Sequence, residues 1–459
     1  VVSPEARIGL AALLLSLAAC GGDGGVDAGR DATLRREDAS ATGWSVETVA
    51  TGDVGQHLQM VARADGSLVA VWMTTVSRSE GLCTEIGDAP PERILWDVEV
   101  ARLDAGGRLV DRQLLQSMLA VGVPPGLDLA LDADGNAVVA TRFGEPLPDF
   151  GYCGVHDLGL FVESGSGFTE RTVVTSSGEA ATGMPASDFG EIVGQWPALA
   201  YGPGGRAVIG YRDVHAGGRQ SDDLRRADFE VAYDDGGGFR PVAVDVGSGA
   251  GSFNDAVFTD DGVAYLVYVN VVDSTTEAQL GIWVARSADG EVWERVRLSA
   301  RPTPNGPSIA VDGDGRVLVA YYDGERGQAR VAVLEDADAF DDLAAGWTLE
   351  TVGDPRFDEG LDPSLAVSPD GTVGLAYRRC ARASEAGECA PVDDGLVFAS
   401  RFGASPWDVE EVDPGEAGSC GLFPALAMTA AGPRIAYACR EEDGGTAEDV
   451  VRVATRSGL

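Results

Sequence analysis

The sequence predicts an all-β protein: a propeller of seven four-stranded antiparallel blades. Three observations lead there. A strand, a Gly-containing turn and a second strand recur seven times; two further strand-like runs follow the hairpins; and a Trp-led segment near the start repeats one that opens a late fourth strand. At 459 residues the chain exceeds what one core organises, since single cores stop growing near roughly 250–300 residues.

The hairpin units include LDLALDADGNAVVAT, PSIAVDGDGRVLVAY and PSLAVSPDGTVGLAY. Their turn glycines are Gly66, Gly135, Gly205, Gly262, Gly315, Gly371 and Gly432. Successive copies lie between 53 (Gly262 to Gly315) and 70 (Gly135 to Gly205) residues apart. Asp-Gly ahead of a short apolar run is a hairpin signal, because Gly supplies the positive φ of the turn at little steric cost. Within the first strand, Met60, Leu129, Leu199, Ala256, Ile309, Leu365 and Leu426 form one column. The next column is smaller: Val61, Ala130, Ala200, Val257, Ala310, Ala366 and Ala427. Alternation of period two puts the columns on opposite faces of a strand, and large-against-small packing suits a tapered, closed β architecture.

Third strands follow, such as VEVARL from Val98, FEVAYD from Phe229, RVAVLE from Arg330 and VFASRF from Val397. Fourth strands open on a bulky residue: Leu109, Phe168, Phe239, Trp293, Trp347 and Trp407. Four antiparallel strands repeated radially make a propeller. The seventh unit has no fourth strand of its own, yet Trp44-Ser-Val-Glu-Thr-Val49 matches Trp347-Thr-Leu-Glu-Thr-Val352. The N-terminal strand is therefore expected to complete the last blade and close the ring, removing an open sheet edge.

Residues 1–20 carry Arg7, an apolar run from Ile8 to Leu17, small residues and Cys20. The run is about half the length of a membrane-spanning helix and fits the apolar region of a secretory signal. Leu17-Ala18-Ala19-Cys20 resembles the bacterial lipobox, which implies signal removal after residue 19 and lipidation of Cys20. Residues 20–42 lack aromatics and read as a flexible tether to a propeller over 43–459. Gly21, which is not Asp, resembles an outer-membrane sorting signal. The expected location is thus the bacterial cell envelope, with the lipid as the sole membrane contact.

The net charge is -39 and pI about 4.2, with no lysine. Nucleic acid is excluded as a partner, since its affinity comes from Lys and Arg neutralising phosphates. Docking through a polybasic patch on anionic lipid is excluded likewise.

Beyond Cys20 stand six cysteines, an even number that in an exported protein points to disulfides. Their placement in equivalent or shared loops predicts Cys83–Cys153, Cys380–Cys389 and Cys420–Cys439. These loops, between second and third strands or leading into first strands, share one face and also carry His57, His156 and His215. Long insertions fall here, at Ser77 to Arg93 and Glu145 to Asp157. Function tends to sit in long loops on a rigid scaffold, so this face is the candidate binding surface. Polar ends of second strands add Arg142, Tyr211, Arg212, Asp213, Tyr322, Asp323, Arg378 and Arg379. Arginines in such a mouth suit a carboxylate or sugar acid, although loop carboxylates compete for them.

No metal or cofactor is expected. Cys153-x-x-His156 has a ligand spacing, but oxidation of Cys153 removes its best donor. The Asp-rich turns at Asp132-x-Asp134-Gly135 and Asp312-x-Asp314-Gly315 lack the sixth-position Gly and twelfth-position Glu of a calcium loop. Hairpin chemistry accounts for them. No catalytic residue is assigned, since no nucleophile elbow or P-loop is present.

Ser287-Ala288-Asp289-Gly290-Glu291-Val292-Trp293 resembles a degenerate Asp-box, the repeat of sialidases and other BNR-type propellers. In that family the box is structural, and no arginine-triad motif is found to carry catalysis across. The sequence is expected to specify a binding or scaffold module for a protein, peptide or glycan. The alternative is a hydrolase or lyase acting on polysaccharide.

Overall fold

The structure is a computed structural model. It describes residues 43–80, 92–121, 126–145, 155–175, 192–214, 227–246, 249–270, 280–301, 303, 306–380, 394–415, 418–443 and 446–456. The readings placed on residues 1–42, Cys83, Cys153, His215 and Cys389 lie outside them.

Among the described residues twenty-eight strands build seven antiparallel blades, and one parallel pairing, Ile192↔His156, joins blades 2 and 3 into a single sheet. The chain begins with β1 (Trp44–Gly52). Blade 1 is β2 (Gln56–Ala62), β3 (Leu68–Glu80), β4 (Glu92–Leu103) and β5 (Leu109–Val121). Blade 2 is β6 (Leu127–Leu131), β7 (Ala137–Glu145), β8 (Val155–Ser164) and β9 (Gly167–Val174). Blade 3 is β10 (Ile192–Tyr201), β11 (Ala207–Val214), β12 (Ala227–Asp234) and β13 (Arg240–Asp245). Blade 4 is β14 (Ser252–Phe258), β15 (Ala264–Asn270), β16 (Gly281–Ser287) and β17 (Glu294–Ser299). Blade 5 is β18 (Ser308–Val311), β19 (Val317–Asp323), β20 (Gln328–Leu334) and β21 (Trp347–Val352). Blade 6 is β22 (Asp358–Val367), β23 (Thr372–Cys380), β24 (Gly395–Phe402) and β25 (Asp408–Asp413). Blade 7 is β26 (Gly418–Thr429), β27 (Gly432–Asp443), β28 (Thr446–Arg456) and, as its outer strand, β1. The expected closure is present, with Trp44 opposite Arg456 and Gly52 opposite Asp449.

Seven apolar clusters fill the seven seams, each shared by two neighbouring blades. Second strands are therefore covered on both faces: every residue of β11 and of β15 is buried. Near-continuous apolar runs are what such double burial selects. The turns behave as hairpin chemistry requires. Asp132 Oδ1 accepts from the Asp134 and Asn136 N–H groups, and Asp312 Oδ1 from those of Asp314 and Arg316. The Ser287–Trp293 turn is held by itself as well, with Asp289 Oδ1 accepting from Glu291 and Val292.

Two expected loop insertions are partly strand. Pairing in blade 1 continues to Glu80↔Glu92, and in blade 2 to Glu145↔Val155. The ladder persists because extended backbone in both arms keeps offering paired N–H and C=O groups. Cys420 and Cys439 are disulfide-bonded, as expected, and Cys380 is disulfide-bonded too.

Candidate functional site at the mouth of the central channel

The first strands β2, β6, β10, β14, β18, β22 and β26 are neighbours around the ring. They enclose a cavity of about 140 Å³ whose wall contains residues from all seven blades. In five blades a non-Gly residue at one fixed place in the first strand adopts left-handed φ: His57 (51°), Trp196 (49°), Phe253 (52°), Asp362 (52°) and Phe423 (48°). Gly126 (77°) occupies this place in blade 2. Each of the five sits in a β-bulge, where pairing skips from Gln56 to Gln59, Gln195 to Ala198, Ser252 to Asp255, Leu361 to Ser364 and Leu422 to Ala425. The bulge turns a side chain out of the ladder and into the mouth.

Two positions upstream stands a left-handed Gly in the same five blades: Gly55, Gly194, Gly251, Gly360 and Gly421. At Gly360 a Cβ would lie 2.5 Å from the Ala329 backbone, and at Gly194 2.9 Å from Leu158 Cα. The backbone passes so close to the neighbouring blade that a side chain does not fit.

The rings form two pairs. Trp196 and Phe253 stack at 4.7 Å, and His57 lies 5.4 Å from Phe423. Behind the first pair the Arg212 guanidinium sits 5.4 Å from the Trp196 ring and donates to Ser252 Oγ at 3.0 Å. Asn254 Nδ2 donates to the Trp196 carbonyl at 2.8 Å. Trp196 is buried, and its Nε1 has no hydrogen-bond partner among the described residues; nor has Asn254 Oδ1. Burial pushes the His57 imidazole down to about 4, so it is neutral at physiological pH.

Asp128 and Asp255 also line the cavity, and the repeat explains them as structural latches. Asp128 accepts from its own neighbour Leu129 (2.8 Å) and from Leu199 of the next blade (2.5 Å). Asp255 accepts from Ala256 (2.8 Å) and, in the next blade, from Ile309 (2.8 Å) and the Ser308 hydroxyl (2.9 Å). In that column Ser308 Oγ accepts from Leu365, and Ser364 Oγ from Leu426, both at 3.0 Å. Burial raises Asp128 to about 7, with the Asp255 charge adding to it, and raises Asp255 to about 6 despite its donors. Asp362 is raised to about 6 by burial, opposed by Arg378.

Of the sequence-predicted face residues that are described, only His57 lines the cavity, and Arg212 stands against the Trp196 ring. Tyr211 is fully buried and donates to Glu230 at 2.6 Å; Asp213 and His156 are buried as well. Tyr322 donates to Asp358 (2.7 Å), and Asp323 pairs with Arg326 (2.6 Å). Arg379 pairs with Glu411, while Arg378 lies 3.8 Å from Asp394. These two arginines are committed to carboxylates of their own blade, Asp394 ahead of β24 and Glu411 in β25. Arg142 differs: it is 3 % exposed, its Nε has no partner among the described residues, and burial lowers it to about 9.

The mouth residues Trp196, Phe253, Asn254, Asp362 and Phe423 were not singled out from sequence. Their signal was present: extending the repeat upstream gives Gly-Gln-His57, Gly-Gln-Trp196, Gly-Ser-Phe253, Gly-Leu-Asp362 and Gly-Leu-Phe423 at constant distance from the turn glycines.

No protein-family model matches the chain, and no curated protein matches it. Several solved structures are similar to it at low identity. A protein of unknown function from Dyadobacter fermentans is 12% identical with a TM-score of 0.43, covering 90% of this chain and 99% of its own. A Hadza microbial sialidase is 14% identical with a TM-score of 0.44, covering 78% and 73%. The alpha-L-arabinofuranosidase of Fusarium graminearum, solved with arabinobiose, is 12% identical with a TM-score of 0.40, covering 72% and 92%. By its own strand topology the chain is a seven-bladed β-propeller of four-stranded antiparallel blades.

Proposed function

We propose that this protein is a binding module that receives its ligand at the channel mouth, carried on the bacterial envelope by a lipid on Cys20. The observation behind the binding reading is the ring of left-handed, non-Gly residues. Each such conformation costs about 1–2 kcal/mol relative to right-handed backbone. Strain repeated at one register, with four of five side chains aromatic or His and all lining one cavity, fits retention for recognition rather than for stability. A glycan is favoured over a peptide because two pairs of rings and several hydrogen-bonding side chains line the same small cavity. The hydrolase alternative has less support, since both oxygens of Asp128 and of Asp255 are engaged by backbone donors. Both carboxyls are thus turned to backbone donors, whereas a general acid must stand within hydrogen-bond reach of the leaving group.

The experiment uses the full chain expressed in a lipoprotein-processing bacterium. Glycan and peptide arrays are expected to show glycan retention without new reducing ends. Phe253→Gly with Phe423→Gly should weaken retention at least about tenfold, as removal of central aromatic anchors does. Turnover of a retained polysaccharide would overturn the binding reading. Unmodified Cys20 after labelling with a clickable palmitate would overturn the anchor.

A further inference from the structure

We infer that the sugar seated in the mouth is an amino sugar whose amine is protonated; this rests on the binding reading above and names its ligand class. The argument starts from charge that the wall itself does not neutralise. Asp128 on β6, Asp255 on β14 and Asp362 on β22 line the cavity from blades 2, 4 and 6, and each is half-buried. Among the described residues no Arg stands on that wall, and its other titratable group, His57, is neutral. The chain has no lysine to supply a cation. Asp128 feels the Asp255 charge, and Asp362 feels Arg378 and, in opposition, Asp394. The rings are a second observation, independent of the charges. His57, Phe253 and Phe423 are half-buried on the same wall, in the left-handed conformation that turns them out of the ladder. A mainly apolar wall with a few polar groups is how pockets hold small organic molecules. A sugar ring packs its C–H faces against such rings while its ammonium neutralises the carboxylates.

Other ligand classes fit less well, and for separate reasons. A calcium ion needs oxygens converging at about 2.3–2.6 Å. The three carboxylates do not bring theirs all within 4.8 Å of one another, so they surround the cavity without forming a chelate. An anionic sugar would enter among three acids without a counter-ion. A neutral sugar would leave those acids repelling one another in a poorly solvated site. An amine meets the opposite situation, since the net charge of -39 also draws cations towards the protein. The small volume, about 140 Å³, suits a chain end rather than the interior of a polymer.

The test is calorimetry on the full chain at pH 7 in about 0.5 M NaCl, which screens exposed carboxylates. Glucosamine is expected to bind about tenfold more tightly than methyl glucoside, N-acetylglucosamine or glucuronate. Asp362→Asn removes one charge, keeps an acceptor for the Phe423 N–H and is at ease in left-handed backbone. It should shrink the preference for glucosamine about tenfold without lowering the melting temperature. At pH 5 the preference should fall too, because Asp128, raised to about 7, and Asp255 and Asp362, raised to about 6, are then protonated. No preference for glucosamine at pH 7, or a preference untouched by Asp362→Asn, overturns the inference. If methyl glucoside then binds and Phe253→Gly weakens it, the mouth remains a glycan site and only the amine falls. Tighter binding of Nα-acetyl-lysine amide than of glucosamine assigns the mouth to a peptide and overturns the glycan reading with it. If no probe binds, both readings fall.

Discussion

Removal of residues 43–52 is expected to lower stability sharply. β1 is the outer strand of blade 7, yet its side chains serve two seams. Trp44, 3 % exposed, packs edge-on against Phe398 of blade 6 at 5.5 Å, alongside Val412 and Val450. Val49 and Ala50 belong to the seam with blade 1, beside Leu58 and Val451. The register shift between Thr48 and Ala50 lets two successive residues turn inward. Burying one Trp removes about 150–250 Å² from water, worth roughly 4–6 kcal/mol at 25 cal/mol per Å². Excision also uncovers the β28 edge, a template for intermolecular pairing. Where the excised chain aggregates, Trp44→Ala gives the graded result, a loss of about 3–5 kcal/mol in urea unfolding. Wild-type midpoints for both variants would show that the ring does not depend on this strand.

That closure was legible because a fourth strand has a strong local signature, a Trp followed by a half-buried Thr/Glu pattern. The blade count was legible for a similar reason, since Asp-Gly turns recur with alternating columns on both sides. The mouth was not read, and the cause is physical. A β-bulge breaks the two-residue alternation, so the pattern that locates the strand stops at Gln59 or Asp255, just short of His57 or Phe253. The arginines misled for the opposite reason. Residue type marked Arg378 and Arg379 as ligand-facing, but only three-dimensional proximity reveals that Asp394 and Glu411 already engage them. Asp128 and Asp255 could not be told from surface acids, because a latch between blades has no sequence spacing. Their role emerges from the column, where Ser308 and Ser364 do the same task without charge.

The half-buried carboxylates of the mouth make stability depend on pH in an unusual direction. Asp128, raised to about 7, and Asp255 and Asp362, raised to about 6, all lie above the value of 3.8 that applies once the chain unfolds. Between about pH 4 and 7 the native state therefore holds more protons than the unfolded state, and its stability falls as pH rises. A tenfold change in proton affinity is worth about 1.4 kcal/mol, so the three carboxylates together amount to several kcal/mol. His57 acts the other way. Lowered to about 4 from 6.5, it resists protonation when folded, and its contribution is lost as pH falls through that window. A single imidazole, displaced less far than Asp128, offsets only part of what the three contribute. The acid limit comes from carboxylates held below their usual range, such as Asp354, lowered to about 2 by Arg356, whose contribution disappears as pH drops below 4. Mutual repulsion under a net charge of -39 adds to the same trend near neutrality. The urea midpoint is thus expected to be highest near pH 4–5 and clearly lower at pH 8. The difference should persist in 1 M NaCl, which screens surface repulsion but not buried groups. Asp128→Asn should flatten the slope between pH 5 and 7. Asp362→Gly removes both a raised carboxyl and a left-handed side chain, so it should gain stability at pH 8 and little at pH 4.5. A midpoint equal or higher at pH 8 than at pH 4.5 would mean that these carboxylates are not held above their usual range when the chain is folded.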